Sequence, residues 1–215
     1  MRQTAVDKAY LWVRERILDG TIPPGSFIDE ATVCEGAGVS RTPAREAFNR
    51  LEGERFITLA PRRGAQVREL TTNDLYDAFS ARIMVETHVA KEFCERRLAI
   101  PEDMRVHLKA MDAMEDFSTN DSVSAYIDAD QMFHGALVRT LGNRAIDDFF
   151  LSLWRVNKWS ALTRGGWLRS PHFLCTNREQ HHAILEHLAA HDGPAVVEVL
   201  RQHLRLGVPD MPVFP

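Results

Sequence analysis

The sequence predicts a mostly α-helical chain. A winged helix-turn-helix of three helices and a β-hairpin comes first, followed by an all-α bundle of six helices. Two observations carry this reading. Up to about residue 70, three helical segments give way to two short alternating stretches on either side of "PRRG". Beyond "RELTTND", apolar residues recur only at helical spacing, with no strand signal and no internal repeat. The expected domains are therefore 1–70 and 71–215.

Each element has its own local reason. From about Thr4 to Leu18, Val6, Ala9, Tyr10, Val13 and Ile17 fall at helical spacing, and Gly20 with the following "PPG" ends the run. A second, short helix is expected from about Asp29 to Gly36. The third is expected from Pro43 to about Glu54, with Thr42 as N-cap and Pro43 at the first helical position, where its missing N–H costs nothing. Ala44, Ala47, Phe48 and Leu51 then form a stripe that would face a core. In "ITLAPRRGAQV", Ile57, Leu59, Ala65 and Val67 alternate about a Pro/Gly turn, which reads as a hairpin. In the second part Thr72 is the expected first N-cap. Helical periodicity runs over about 73–98, 102–117, 122–141, 144–164, 177–190 and 194–206.

Bulk properties exclude several classes. The chain of 215 residues has a formal net charge of -4, with 45% hydrophobic and 26% charged residues, ordinary values for packed globular domains. No apolar run approaches the roughly 20 residues of a membrane helix, and Asp7 and Lys8 break any secretory-signal pattern in "MRQTAVDKAYLWV". Three cysteines, Cys34, Cys94 and Cys175, at unrelated spacings argue against a disulfide framework. A soluble, cytoplasmic protein with no membrane partner is expected. Residues 1–70 hold 11 Lys and Arg against 10 Asp and Glu, so the first part is close to neutral while the remainder is acidic.

Against that background the stretch "GVSRTPAREAFNRLEGERF" stands out. Arg41 and Arg45 are four apart at a helix start, with the Ala44/Phe48/Leu51 face pointing the other way and Asn49 continuing the exposed side. Arginine is the commonest reader of guanine O6 and N7, while Ser40 and Thr42 are sized for phosphate oxygens. Arg62, Arg63 and Gly64 at the hairpin tip are placed to reach an adjacent groove. The alternative is a solvated arginine face on an ordinary helix. The whole stretch from Gly38 to Val67 resembles the DNA-binding domain of the GntR family of bacterial transcription regulators, whose pattern is close to VSRTPVREAL, then RLE, then a basic RG turn and a valine. "YLWVRERILDGTIPPGSFIDE" is similar to that family's first helix and G-x-x-x-PG turn. The resemblance implies that Arg41, Thr42 and Arg45 contact double-stranded operator DNA, with Ser40, Arg63 and Gly64 in support. Ala44 stands where valine is commoner and Phe48 where leucine is. Arg55 replaces the glycine usual at the end of this helix, which leaves the cap geometry there open.

In the helical part, polar residues fall on apolar faces. Asp130 and His134, spaced i, i+4, lie within the face defined by Val123, Ile127, Leu137, Val138 and Leu141. His181 is centred on the Ile184/Leu185/Leu188 stripe, and His203 lies within that of Val196, Val199 and Leu200. One carboxylate and three imidazoles aimed inward suit a divalent transition metal, zinc first, with nickel, manganese or iron also compatible. The alternative is four separately hydrogen-bonded core residues. His187 and His191 sit at the stripe's edge and are expected to be solvated. "DADQMFHGAL", "REQHHAIL" and "VEVLRQHL" resemble the FCD ligand-binding domain of the FadR-type branch of the GntR family. Its pattern of D-x-x-x-H, an E-H-x-A-I-type segment and a late H-L puts Asp130, His134, His181 and His203 on the metal positions, with Gln180 where glutamate is usual. Six helices rather than seven suggest the VanR-like subgroup.

In such domains the metal and its surroundings typically hold a small organic acid. Arg82 and Glu86 point inward beside Leu75, Phe79, Val89 and Phe93, either as a mutually satisfied ion pair or with Arg82 forking a ligand carboxylate. Asn157 is a further effector candidate, and Trp154, Trp159 and Trp167 read as packing. The leading expectation is a homodimeric, effector-responsive transcription regulator of repressor type. A metal-dependent hydrolase or lyase using the same Asp/His set and a direct metal-ion sensor are the rivals. The enzyme reading lacks an unpaired carboxylate placed as a general base, and leaves the "RTPAR" helix unexplained.

Overall fold

A computed structural model describes residues 4–164 and 170–206. The chain forms two compact units, Met1–Thr71 and Thr72–Pro215. The first contains α1 (Ala5–Leu18), β1 (Phe27–Ile28), α2 (Glu30–Ala37), α3 (Arg41–Gly53), β2 (Ile57–Ala60) and β3 (Gly64–Val67). Thr4 opens α1 with a reciprocal cap, its Oγ1 accepting from the Asp7 amide at 3.0 Å while the Asp7 carboxylate accepts from the Thr4 amide. Asp29 Oδ1 accepts from the Thr32 amide at 2.8 Å to start α2, and Gly38, at φ 63°, ends it in the left-handed conformation. Val13, Ile17, Val33, Ala44, Phe48 and Leu51 meet in a core almost free of solvent. Each large side chain so buried contributes roughly 1.5–3 kcal/mol.

Helix α3 starts earlier than the sequence suggested. Ser40, extended at φ -85° and ψ 173°, is the N-cap in place of Thr42, and Arg41 is the first helical residue. Pro43 therefore occupies the third helical position. It is tolerated there because none of the first turn's amides has an intrahelical partner, so proline alone does not discriminate among those positions. At the other end Arg55 takes φ 61°, the left-handed conformation a glycine would adopt freely, and the Phe56 amide donates back to the Leu51 carbonyl at 2.9 Å. The wing is a sheet of three strands in the order β1-β3-β2, all antiparallel, with Ala60 opposite Gly64 and Ile28 opposite Ala65. A strand of two residues such as β1 is too short to show an alternation, and it forms because β3 offers a free edge.

The second unit contains α4 (Thr72–Glu95), α5 (Glu102–Asp112), α6 (Asn120–Arg139), α7 (Arg144–Arg164), α8 (Pro171–Ala189) and α9 (Gly193–Leu206). Thr72 is already helical rather than a cap, and α4 and α5 stop short of the expected 98 and 117. Helix α8 begins six residues before the expected 177, with Pro171 at the helix start and Leu174 already buried. Helix α6 is buried around most of its girth, which suits its small residues Ala129, Gly135 and Ala136. Phe133, Leu137, Phe93, Trp154, Ile184 and Leu200 close the core around it. Trp159 is also buried; Trp167 lies outside the described residues. No helix among the described residues is long and apolar enough to cross a membrane.

Candidate DNA-reading face and metal centre

On the first unit, Arg41, Thr42, Arg45 and Asn49 are exposed on one side of α3, while Ala44, Ala47, Phe48 and Leu51 are buried on the other. Ser40 is exposed at the helix mouth, and its hydroxyl makes no capping hydrogen bond. Arg45 Nε donates to Glu30 Oε1 of α2 at 2.6 Å. A guanidinium held through Nε keeps its two Nη groups directed outward, the edge that reads guanine or grips phosphate. Arg63 and Gly64 stand at the wing turn. Gly64 has φ 82°, and a Cβ there would lie 2.3 Å from the Ile28 carbonyl oxygen, so β1 and the wing approach closely only because this residue is glycine.

In the second unit, Asp130, His134, His181 and His203 converge from α6, α8 and α9. One potential ligand atom from each lies within 4.8 Å of every other. The i, i+4 spacing on α6 brings Asp130 and His134 to one side of that helix, and burial of Ile184, Leu188 and Leu200 turns the other two inward. His134, His181 and His203 are wholly or almost wholly buried, and Asp130 nearly so.

The surroundings of the imidazoles decide what the cluster can do. Each Nδ1 faces an oxygen. His134 Nδ1 stands 2.6 Å from Glu86 Oε2. His181 Nδ1 lies 2.8 Å from the Asn177 backbone carbonyl, and His203 Nδ1 3.2 Å from Gln180 Oε1. The oxygens facing His181 and His203 favour the ring proton on Nδ1, and with Glu86 beside His134 Nδ1 all three Nε2 atoms face inward. There, His134 Nε2 and His203 Nε2 are 3.1 Å apart, and His181 Nε2 is 3.0 Å from Asp130 Oδ1. Lone pairs facing one another in a buried site are costly unless a cation sits among them. Ligands to one tetrahedral zinc stand about 3.3 Å from each other, close to these separations. The residues present thus fit a divalent transition metal held by three imidazole nitrogens and one carboxylate.

The electrostatics agree. Burial alone would raise the Asp130 carboxyl, but His134, His181 and Arg82 outweigh it and hold the group well below the usual carboxylate range. Burial pushes His181 down, partly offset by Asp130. Burial, then the neighbouring His181 and His134, lower His203 well below an ordinary histidine. The lowered His181 and His203 and the ionised Asp130 are in the protonation states that ligation needs.

Beside the cluster lies a small cavity of about 40 Å³, bounded by Arg82, Asn157, Asn177, Tyr126, Asp130 and His203 and by apolar groups including Phe79 and Phe173. Arg82 and Glu86 do form a buried ion pair, Nε to Oε1 at 2.8 Å, yet Arg82 Nη2 is buried with no hydrogen-bond partner. Two contacts were not foreseen from the sequence. Glu86 bridges Arg82 to His134, and Tyr126 Oη donates to Asn177 Oδ1 at 2.6 Å on the cavity wall. The inward position of Glu86 on its helix was legible, but its partner on α6 was not. His187 and His191 are half-buried rather than fully solvated, the His191 ring lying 6.1 Å from that of Phe93.

Comparison with known families and proteins matches residues 5–67 to "Bacterial regulatory proteins, gntR family" and residues 77–206 to the FCD domain. The chain is 34% identical over 115 residues to the Nta operon transcriptional regulator of Aminobacter aminovorans, spanning 54% of this chain and 53% of that protein, about half its length. It is 25% identical over 220 residues to the HTH-type transcriptional repressor GlaR of Escherichia coli, covering 97% and 96% of the two chains. The gluconate operon transcriptional repressor of Bacillus subtilis is 31% identical over 151 residues, 66% of this chain and 57% of that one. Among solved structures, a GntR regulator from Rhodococcus sp. RHA1 shares the fold with a TM-score of 0.76 at 24% identity, covering 93% of each chain. With the exposed α3 face, the wing and both profile matches in place, this chain belongs to the GntR family of bacterial regulators, in the FadR-type branch with an FCD domain, and is a DNA-binding transcription regulator rather than an enzyme.

Proposed function

We propose that the protein is a cytoplasmic, homodimeric repressor whose grip on its operator is set by a small organic acid bound beside a metal in the helical unit. The observation that carries the effector reading is Arg82: a buried guanidinium on the cavity wall, with one nitrogen committed to Glu86 and Nη2 left without a partner. A carboxylate is the ligand group that such a half-used fork accepts best. Asn157, buried on the same wall, offers an amide to a second polar group of the ligand. Asp130, His134, His181 and His203 would hold the metal, which when bound supplies a Lewis-acidic point for the ligand's carboxylate. Zinc suits the donor set first, with nickel, manganese or iron also compatible. The names of the relatives, several of them repressors, support the sign of regulation.

On the DNA side, Arg41, Thr42 and Arg45 read the operator, with Ser40, Asn49, Arg63 and Gly64 supporting. Two-fold symmetry of a dimer matched to a near-palindromic site supplies the affinity. The acid must favour one arrangement of the dimer over another, and about 1–3 kcal/mol of such coupling is enough for induction.

Elemental analysis of the purified protein tests the metal, with His134→Ala and His181→Ala as controls. About one transition metal per chain, lost in both variants, is expected. Absence of metal after exposure to excess zinc or nickel would remove the centre from the proposal. Small carboxylates are then titrated against the protein on an operator selected from random duplexes, alongside Arg82→Gln. An acid that shifts wild-type affinity but not the variant's supports the effector site. Operator affinity that follows metal concentration with no acid present would instead favour direct metal sensing.

A further inference from the structure

We propose that Phe27 is a positioning residue for DNA recognition: its exposed ring is the platform that holds the wing arginine Arg63 in its reading direction. The inference rests on the wing taking part in operator binding, and it adds a residue outside both the recognition helix and the wing turn.

Phe27 is 43% exposed, on a strand only two residues long. Its strand neighbour Ile28 is 4% exposed and supplies the core contact, so the hydrophobic core gives no reason for the ring. What the ring touches is charge: the Arg63 guanidinium carbon lies 4.2 Å from its centroid, within the range of a cation–π contact. Among the described residues no carboxylate pairs with Arg63, so stacking leaves its charge free for phosphate or a groove edge.

The backbone keeps these two residues together. Ile28 pairs with Ala65 and Phe27 with Gln66 across β1 and β3. The Arg63 amide closes the wing turn on the Ala60 carbonyl at 3.0 Å. Within that turn Pro61 is followed by Arg62 at φ 65°, a left-handed residue, and Gly64 at φ 82° follows. The pattern is that of a type II turn. Gly64 lets the turn lie against the backbone of Ile28 and Asp29, which puts Phe27 beside Arg63. An arginine side chain in solvent samples many rotamers, and ordering it on binding costs entropy. A ring already seated under the guanidinium removes part of that cost.

The test uses full-length protein and two duplexes: one selected from a random library by the wild type, and one of scrambled sequence. Affinity is measured over a range of salt for Phe27→Ala, Phe27→Leu, Phe27→Tyr, Arg63→Ala and the Phe27→Ala/Arg63→Ala pair, with Arg41→Ala as control. Phe27→Ala is expected to weaken selected-duplex binding about two- to fivefold, the range of an exposed cation–π contact. Phe27→Leu should match it, Phe27→Tyr should restore binding, and the pair should be no weaker than Arg63→Ala alone.

Leucine fills the same space, so a drop confined to variants without a ring cannot be lost packing. Equal thermal midpoints for Phe27→Leu and Phe27→Tyr check this. Wild-type affinity in Phe27→Leu, additive losses in the pair, or no loss in Arg63→Ala would each overturn the proposal. Arg41→Ala separates that failure from failure of DNA reading altogether, because it loses affinity whenever α3 reads DNA, whatever the wing does.

Discussion

His134 Nδ1 stands 2.6 Å from Glu86 Oε2, with both side chains fully buried. The same carboxylate holds Arg82 through its other oxygen. One acidic group thus joins His134 of the candidate metal cluster to the Arg82 guanidinium on the cavity wall, and bears on which nitrogen of His134 is free to ligate.

Glu86→Gln should weaken metal binding by about 10- to 100-fold, the usual cost of losing an oxygen partner behind a ligating imidazole. It should also destabilise the fold by about 3–5 kcal/mol, because Arg82 stays buried without its counter-charge. Competition with a chelator reads the first effect and thermal unfolding the second. Unchanged affinity for zinc would show that Glu86 supports Arg82 alone.

Gln180→Glu is expected to act in the opposite direction. The amide oxygen that now faces His203 Nδ1 at 3.2 Å would become a carboxylate, strengthening the contact and the basicity of the ligating nitrogen. Tighter zinc retention against the same chelator is the expected outcome. A looser site would mean that the added charge costs more in burial than it returns.

Arg55 occupies a left-handed position at the end of α3. Arg55→Gly should stabilise the first unit by about 1 kcal/mol, since glycine takes that conformation without the steric cost. The corresponding rise in thermal midpoint is about 2–4 °C for a chain of this size. A fall would show that the arginine side chain holds something that outweighs its backbone strain.

Gly64→Val addresses the wing. Its Cβ would meet the Ile28 carbonyl oxygen at 2.3 Å and its backbone would keep φ 82°, so β1 or the turn must move at a cost of about 1–3 kcal/mol. Operator affinity should drop while metal content stays at the wild-type level, because the cluster belongs to the other unit. Loss of metal together with DNA binding would point to general unfolding instead.

The regular elements were legible because they depend on local chemistry: the Ala44/Ala47/Phe48/Leu51 stripe, the 144–164 segment and the inward Asp130/His134 pair all follow from the 3.6-residue period. Elements that depend on a partner were not. β1 forms only against β3, and α8 gains a first turn that rests on packing of Leu174 and on Pro171. Ser40 took the cap from Thr42 because the first turn accepts proline at several positions.

The sequence by itself determined the fold class through composition and periodicity, while the reading helix and the four candidate ligands came from inward or outward spacing together with the family resemblance. Tertiary structure alone decided which nitrogen each imidazole presents, that Glu86 links Arg82 to His134, and that Arg63 rests on Phe27. His134 and His203 stand 69 positions apart in the chain, and His134–Glu86 and Arg63–Phe27 likewise join separate elements; only the packing of those elements sets such distances.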